Sequence, residues 1–364
     1  MNLSKMAKVK DFKWNVGMSV ADLVGAFGNV GFQSVELKKS ADLIVKMKKN
    51  NARIFLTFTS NMVTSGLRGF FAQLIELGLA NVLVTTVGGI EEDIMKSLGE
   101  DFPIGKFDAD DVELHEQGVN RVGNLMITSE SYMKFEDWIN PVLQKLYDKK
   151  KRWCVSEMLR EIGLMIGEEF ARDLGGASRE PSQNFGEVTK GPALKDNENN
   201  SKPKNNRENS QVPLQIKSSI LYQAAKNNVP IFCPAITDGG FGFHLYLFQQ
   251  KHKDFIVDVV EDFGNILLST NYDEKKAVIA LGGSISKHHA ILATLLNGGA
   301  EYALYMTTAH KTSGSMSGAT TSEAKSWGKV KDDSDVATVI GDVTIMFPLA
   351  MIAALDELKG EGLI

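Results

Sequence analysis

RIFLTFTSN, from Arg53 to Asn61, is a nearly unbroken apolar run that stops abruptly in hydroxyl and amide residues. A run of this kind, without polar alternation, marks a strand buried on both faces, as in a parallel sheet. The same grammar recurs along the chain. NVLVTT (Asn81–Thr86) precedes Gly88-Gly89, and VPIFC (Val229–Cys233) precedes Thr237-Asp238-Gly239. AVIAL (Ala277–Leu281) precedes Gly282-Gly283-Ser284, and YALYM (Tyr302–Met306) precedes Thr307-Thr308-Ala309. Most of these runs lead into helical spacing, such as Leu67–Leu77 or His288–Leu296. The alternation predicts an α/β fold, a doubly wound, mainly parallel sheet of Rossmann-like type, with its ligand at the carboxyl ends of the strands. Any one such turn reads more readily as a tight βα turn or N-cap; five in one chain favour a nucleotide site. No G-x-G-x-x-G follows the first strand and no G-x-x-x-x-G-K-[ST] occurs, so a dinucleotide must be held by a different set of turns.

Outside these runs, the chain of 364 residues is ordinary in composition, 43% hydrophobic and 23% charged, which excludes wholesale disorder. Lys+Arg 40 against Asp+Glu 45 leaves a net charge of -5, no global basic surface for nucleic acid. Cys154 and Cys233 form no C-x-x-C pair and no disulfide framework, which suits a reducing compartment. The first residues lack the apolar core of a signal peptide, and Val343–Leu355 is too short to span a bilayer. The expectation is a cytoplasmic protein with neither a membrane nor a nucleic-acid partner. One segment departs from the rest: from Gly175 to Gln211 the hydrophobic pattern collapses, and Asp196–Ser210 has no aliphatic or aromatic residue. It reads as a disordered insertion, 175–211, inside a single domain of residues 1–364.

Candidate chemistry is densest between Gly282 and Lys329. His288 and His289 stand after a glycine turn, where a histidine can act as general base or simply cap and pack. The pair lacks the i, i+4 spacing of H-E-x-x-H and has no nearby third ligand, so no metal site is expected. Ser313-Gly314-Ser315-Met316-Ser317-Gly318 is a loop with the make-up of a lid or an anion nest. Glu323 and Ser326-Trp327-Gly328-Lys329 follow. A lysine attacks a carbonyl or imine carbon only as the neutral amine, and an aromatic wall helps desolvate it; the plainer reading is an exposed Lys after a packed Trp. In the first half, Glu91-Glu92-Asp93 reads either as acids favouring a helix dipole or as an anchor for a polycation. Asp238 divides likewise between an Asx-turn and a ligand carboxylate.

Taken in order, these segments resemble the deoxyhypusine synthase family. The resemblance is carried by FTSNMVTSG (Phe58–Gly66), VTTVGGIEED (Val84–Asp93), GVNRVGN (Gly118–Asn124) and SESYMKFEDW (Ser129–Trp138). The second half adds VPIFCPAITDG (Val229–Gly239), LGGSISKHH (Leu281–His289) and SEAKSWGKV (Ser322–Val330). What it implies is NAD-dependent transfer of the aminobutyl group of spermidine to one lysine of the precursor of translation initiation factor 5A. Homospermidine-type transfer to putrescine and a non-catalytic regulatory paralogue are the alternatives. The resemblance casts Lys329 as carrier of an enzyme imine and His288 as base. It gives Glu91, Glu92, Gly314, Ser315, Glu323 and Trp327 to the substrate. It gives NAD to Ser60, Asn61, Thr64, Thr86, Gly88, Asp238, Gly283, Thr308, Ala309 and Asp342. A homotetramer with shared active sites is implied too. The chain departs from the family pattern at Ser313 and Met316 in the glycine loop, and at Phe243, where many members place an acid. Ser284 stands at a usual glycine, and Val87 at a usual small residue.

Overall fold

The computed structural model describes residues 6–175 and 212–364, and of 169–175 only the backbone. Of the expected insertion, 176–211 lies outside the described residues, while Gly175 closes helix Val155–Gly175.

Six strands make the central sheet: β1 (Arg53–Thr57), β2 (Val82–Val84), β3 (Ile231–Phe232), β4 (Lys276–Leu281), β5 (Ala300–Thr307) and β6 (Val330–Ile340). Every pairing is parallel, and the order across the sheet is β3-β2-β1-β4-β5-β6. The chain therefore builds outward from β1 to one edge, returns to the centre, and builds outward to the other. This is the Rossmann order, whose reversal opens a crevice between the carboxyl ends of β1 and β4.

The apolar runs are unbroken because alternate residues enter two different cores. Ile54 and Leu56 of β1, Ile279 and Leu281 of β4, and Leu304 and Met306 of β5 join the larger core. That core is covered by helices Phe32–Lys49, Arg68–Glu76 and Val343–Gly360. Phe55, Val278, Ala280, Ala303 and Tyr305 face the other way, against Ala290, Ile291 and Ala293 of helix Ser284–Leu295. A strand with both faces covered has no solvent side on which to place polar residues. Full burial of one ring such as Phe55 contributes about 2–3 kcal/mol, so neither face is dispensable.

Two small pairs stand apart from this sheet: the antiparallel Val119–Val122 with Leu125–Thr128, and the parallel Arg152–Cys154 with Ile256–Asp258. Among the described residues no helix is long and apolar enough to cross a membrane. The helix expected at His288–Leu296 begins earlier, at Ser284, and ends at Leu295. Its entry needs two left-handed residues, Gly282 at φ +79° and Ser284 at φ +64°. Ser284 thus holds a conformation that glycine adopts without strain, where the family resemblance leads one to expect glycine.

Candidate active site

Helix Thr321–Ser326 opens on a cap, Thr320 Oγ1 accepting from Glu323 N at 3.3 Å. It closes in a Schellman turn, in which Gly328 N donates to Lys325 O (2.8 Å) and Lys329 N to Ala324 O (3.1 Å). Gly328 sits at φ +67°, the left-handed position the motif requires. The Ser-Trp-Gly-Lys sequence is therefore a reversal that presents Lys329 at the threshold of β6. Its carbonyl is fixed too, accepting from Ala300 N at 3.1 Å and Thr294 Oγ1 at 3.3 Å.

The burial of this pair is the opposite of the plain expectation. Lys329 is only 6% exposed and Trp327 is 65% exposed. Lys329 Nζ lies 4.9 Å from the Trp327 ring centroid, a cation–π contact. With Lys287, Tyr305, Met316 and Glu323 they enclose about 10 Å³, space for one water at most. Among the described residues Trp327 thus roofs no deep pocket, and Glu323, Met316 and Trp327 face solvent.

The two histidines separate. His288 is exposed, and burial of its surroundings together with the Lys329 charge holds it below its ordinary range. It is neutral at pH 7, as a base must be. His289 packs against Phe263, ring centroids 5.6 Å apart, and burial lowers it to about 4. The helix begins a full turn before them, so neither histidine caps it.

Sequence reasoning overlooked Lys287. It is 2% exposed, donates to Ala319 O at 2.8 Å, and lies 4.1 Å from the Tyr305 ring centroid. Burial pushes it down to about 8. It ties the glycine loop to helix Ser284–Leu295. The Tyr305 hydroxyl, also overlooked, is buried without a hydrogen-bond partner among the described residues. A buried lysine reads in sequence like any surface lysine, and only its place beside His288 hinted at it.

Glu91 and Glu92 lie on helix Val87–Ser97, one turn past its start, and both are buried. The helix-dipole reading therefore fails, since that effect is confined to the first turn. Glu91 Oε1 accepts from Phe241 N at 2.7 Å, capping helix Gly240–Lys251. A Cβ on Gly239 would lie 2.6 Å from that oxygen, so only glycine admits the carboxylate there. Thr64 Oγ1 lies 2.6 Å from Glu92 Oε2. Burial raises Glu91 and lifts Glu92 to about 7. Asp93, read only as part of the acidic run, is a buried hub. It pairs with Arg68 at 2.5 Å, and accepts from Ser219 Oγ (2.9 Å), Ile220 N (3.1 Å) and Leu221 N (2.8 Å).

Each strand of the sheet places an expected cofactor residue beyond its carboxyl end: Ser60, Asn61 and Thr64 after β1, Thr86 and Gly88 after β2, and Asp238 after β3. Gly283 follows β4, Thr308 and Ala309 follow β5, and Asp342 follows β6. The turns after β1 and β2 are locked together, with Ser60 N donating to Thr86 Oγ1 at 3.0 Å. A Cβ on Gly88 would lie 2.9 Å from Ser60 Cβ, and one on Gly283 only 2.1 Å from Ser317 Oγ. Beside them the Thr85 hydroxyl is buried without a partner among the described residues. Glycine-tight turns and an unspent hydroxyl along the carboxyl edge fit a dinucleotide. Asp238 is exposed, and its backbone N–H donates to Ala235 O. Asp342 already has a task, accepting from Thr344 N at 2.7 Å as an N-cap. Gly314 and Ser315 lie in the exposed loop tied down by Lys287. Among the described residues, no hydrogen bond or ion pair joins the Glu91–Glu92 group to the Lys329 group.

The class this fold defines is a Rossmann-like α/β protein, with its expected cofactor residues beyond the carboxyl ends of the strands. Comparison with known proteins narrows the class. The family described as deoxyhypusine synthase matches residues 22–173 and 198–354. A relative in Schizosaccharomyces pombe is 33% identical over 358 residues, covering 94% of this chain and 88% of its own. One in Thermoplasma acidophilum is 32% identical over 346 residues, covering 94% and 96%. Both carry the name "Probable deoxyhypusine synthase". A crystal structure from Entamoeba histolytica, assigned to the same enzyme, superposes with a TM-score of 0.58 at 22% identity, covering 96% and 97%, which supports the fold. The chain belongs to the deoxyhypusine synthase family, and so to the transferases.

Proposed function

We propose that this chain transfers the 4-aminobutyl group of spermidine to one lysine of the precursor of translation initiation factor 5A, forming deoxyhypusine, with NAD as cofactor. The observation that carries the reading is Lys329: an amine almost removed from water, held at both its N–H and its carbonyl, against an aromatic face and beside a neutral histidine.

Ser60, Asn61, Thr64, Thr86, Gly88, Asp238, Gly283, Thr308, Ala309 and Asp342 would hold the cofactor along the carboxyl edge. When bound, it supplies a reversible two-electron oxidation at the carbon next to an amine. His288 takes the proton released there, being neutral at working pH. Lys329, which must first give up its proton, then adds to the substrate's C=N carbon and expels diaminopropane, so the four-carbon unit stays on the enzyme as an imine. The acceptor lysine repeats the exchange and frees Lys329, and return of the two electrons held by the cofactor would leave the acceptor's C=N as the secondary amine of deoxyhypusine. Trp327 and the glycine loop with Gly314 and Ser315 keep water from the imine, which would otherwise hydrolyse. Glu323, Glu91 and Glu92 supply the carboxylates a polycation needs, and burial of Glu91 and Glu92 strengthens the attraction of the charge they carry.

We further propose a homotetramer, in which the Lys329 group of one chain is completed by another copy. The solvent-facing Trp327 and its separation from the Glu91–Glu92 group support this. Met316 lining the Lys329 pocket and the exposed Phe243, where the resemblance suggests acids, favour one second reading, a subunit that supports a catalytic paralogue. The experiment is incubation of the purified chain with NAD and labelled spermidine, with and without the precursor protein. Label on the precursor supports the proposal. Label on free putrescine alone indicates homospermidine-type transfer, and no label without an added paralogue indicates the supporting subunit.

A further inference from the structure

Lys96 stands one turn beyond Glu92 on helix Val87–Ser97 and reaches across to the single-turn helix Ser60–Thr64. Its Nζ donates to three successive carbonyls, Val63 O at 2.7 Å, Thr64 O at 2.7 Å and Ser65 O at 3.2 Å. The Phe102 ring, 4.8 Å from Nζ to its centroid, covers another side. Carbonyls at a helix end have no partner within the helix and carry partial negative charge, so an ammonium is a fitting cap. A helix of five residues has too few internal bonds to persist unaided. What keeps it in place is outside it: Lys96 on its last carbonyls, Glu92 beside the Thr64 hydroxyl, and Thr86 Oγ1 accepting from Ser60 N. Two of these three groups sit four residues apart on one helix, so a single rigid element grips the turn by backbone and side chain together.

We infer that Lys96 is a positioning residue, which fixes the Ser60–Thr64 turn in the orientation that binds the dinucleotide. The inference rests on the reading of Ser60, Asn61 and Thr64 as cofactor residues. The fold contains its own control. Lys48 Nζ donates to Leu77 O at 2.8 Å and Gly78 O at 3.3 Å, the same clamp on the end of helix Arg68–Glu76. That end leads into the amino end of β2, away from the cofactor edge. A merely structural clamp at Lys96 would behave like the one at Lys48.

The test is calorimetric titration of NAD into the full-length chain, with thermal unfolding measured in parallel, for Lys96→Met, Lys96→Arg and Lys48→Met. Lys96→Met is expected to weaken NAD binding about tenfold or more, the loss typical of charge-assisted hydrogen bonds. Lys96→Arg, still able to donate to adjacent carbonyls, should remain within about threefold. Lys48→Met should lower thermal stability and leave NAD affinity unchanged. Wild-type affinity in Lys96→Met, or an equal loss in Lys48→Met, overturns the inference. Should Lys96→Met not fold, Lys96→Gln keeps a donor for one carbonyl, and wild-type affinity in it overturns the inference equally. A wild-type chain that binds no NAD defeats the cofactor reading itself, a result distinct from a wild type that binds and a Lys96 variant that binds as well.

Discussion

The Glu91–Glu92–Asp93 region and the Lys329 region are built to different standards of completeness. Around Glu91, Glu92 and Asp93 every carboxylate is buried and partnered, and the surrounding glycines leave no room for a side chain. Around Lys329 the amine is buried, yet its neighbours Trp327, Glu323 and Met316 face solvent and enclose hardly any space. The first region is closed within one chain; the second lies open to solvent. The difference teaches where each kind of substitution should be felt: in folding for the closed region, in chemistry for the open one.

The largest expected effect is on chemistry alone. Lys329→Arg keeps the charge and roughly the length, but a guanidinium stays protonated and forms no imine. Aminobutyl transfer should fall by about a thousandfold or more, while the melting temperature and NAD binding hold. Near-normal transfer would return Lys329 to a packing role. The converse experiment is Asp93→Ala, which strands the Arg68 guanidinium in the interior and removes three further hydrogen bonds. Loss of one partner from a buried pair costs about 3–5 kcal/mol, readable as a lower urea midpoint. A stability change under about 1 kcal/mol would show that the hub is not what holds this region.

Gly283→Ala probes the seam between the two regions. The new methyl would meet Ser317 Oγ at 2.1 Å and its Cα at 2.6 Å, forcing the glycine loop outward. Overpacking of this kind costs about 1–3 kcal/mol, and because the loop and the cofactor edge meet here, NAD affinity should drop about tenfold. Unchanged affinity would separate the loop from the cofactor site. The smallest effect is a pH dependence. Glu92 titrates at about 7, raised by burial, so acidification through pH 7 adds a proton and removes one negative charge from the substrate's side. KM for the polyamine should rise several-fold, at most about tenfold per pH unit, between pH 8 and 6. Glu92→Gln should flatten that slope, and an identical slope in the variant would remove Glu92 from substrate binding.

How far the sequence could be read follows from what kind of signal each feature leaves. The strand runs were legible because burial on both faces forces unbroken apolar residues, as Ile54, Phe55 and Leu56 show by dividing between two cores. The positions of the turns proposed to hold a cofactor were legible because they must follow those strands. Helix starts were not: Ser284 opens a helix from a left-handed residue, a conformation nothing in its side chain announces. Burial of single polar residues was least legible. Lys329 and Trp327 exchanged their expected exposures, and Lys96 and Lys287 bind carbonyls, partners that carry no sequence signature. Asp93 looked like one of three equivalent acids, because its partners Arg68 and Ser219 lie far off in the chain.

Borohydride reduction can trap directly the covalent bond proposed at Lys329. The purified chain is incubated with NAD and spermidine labelled in its aminobutyl portion, reduced, digested and mapped by mass spectrometry. The expected result is a stable four-carbon amine adduct on Lys329, dependent on NAD and absent from Lys329→Arg. An adduct on another lysine, such as Lys287, or transfer of label to the precursor protein with no trapped enzyme species, would contradict it.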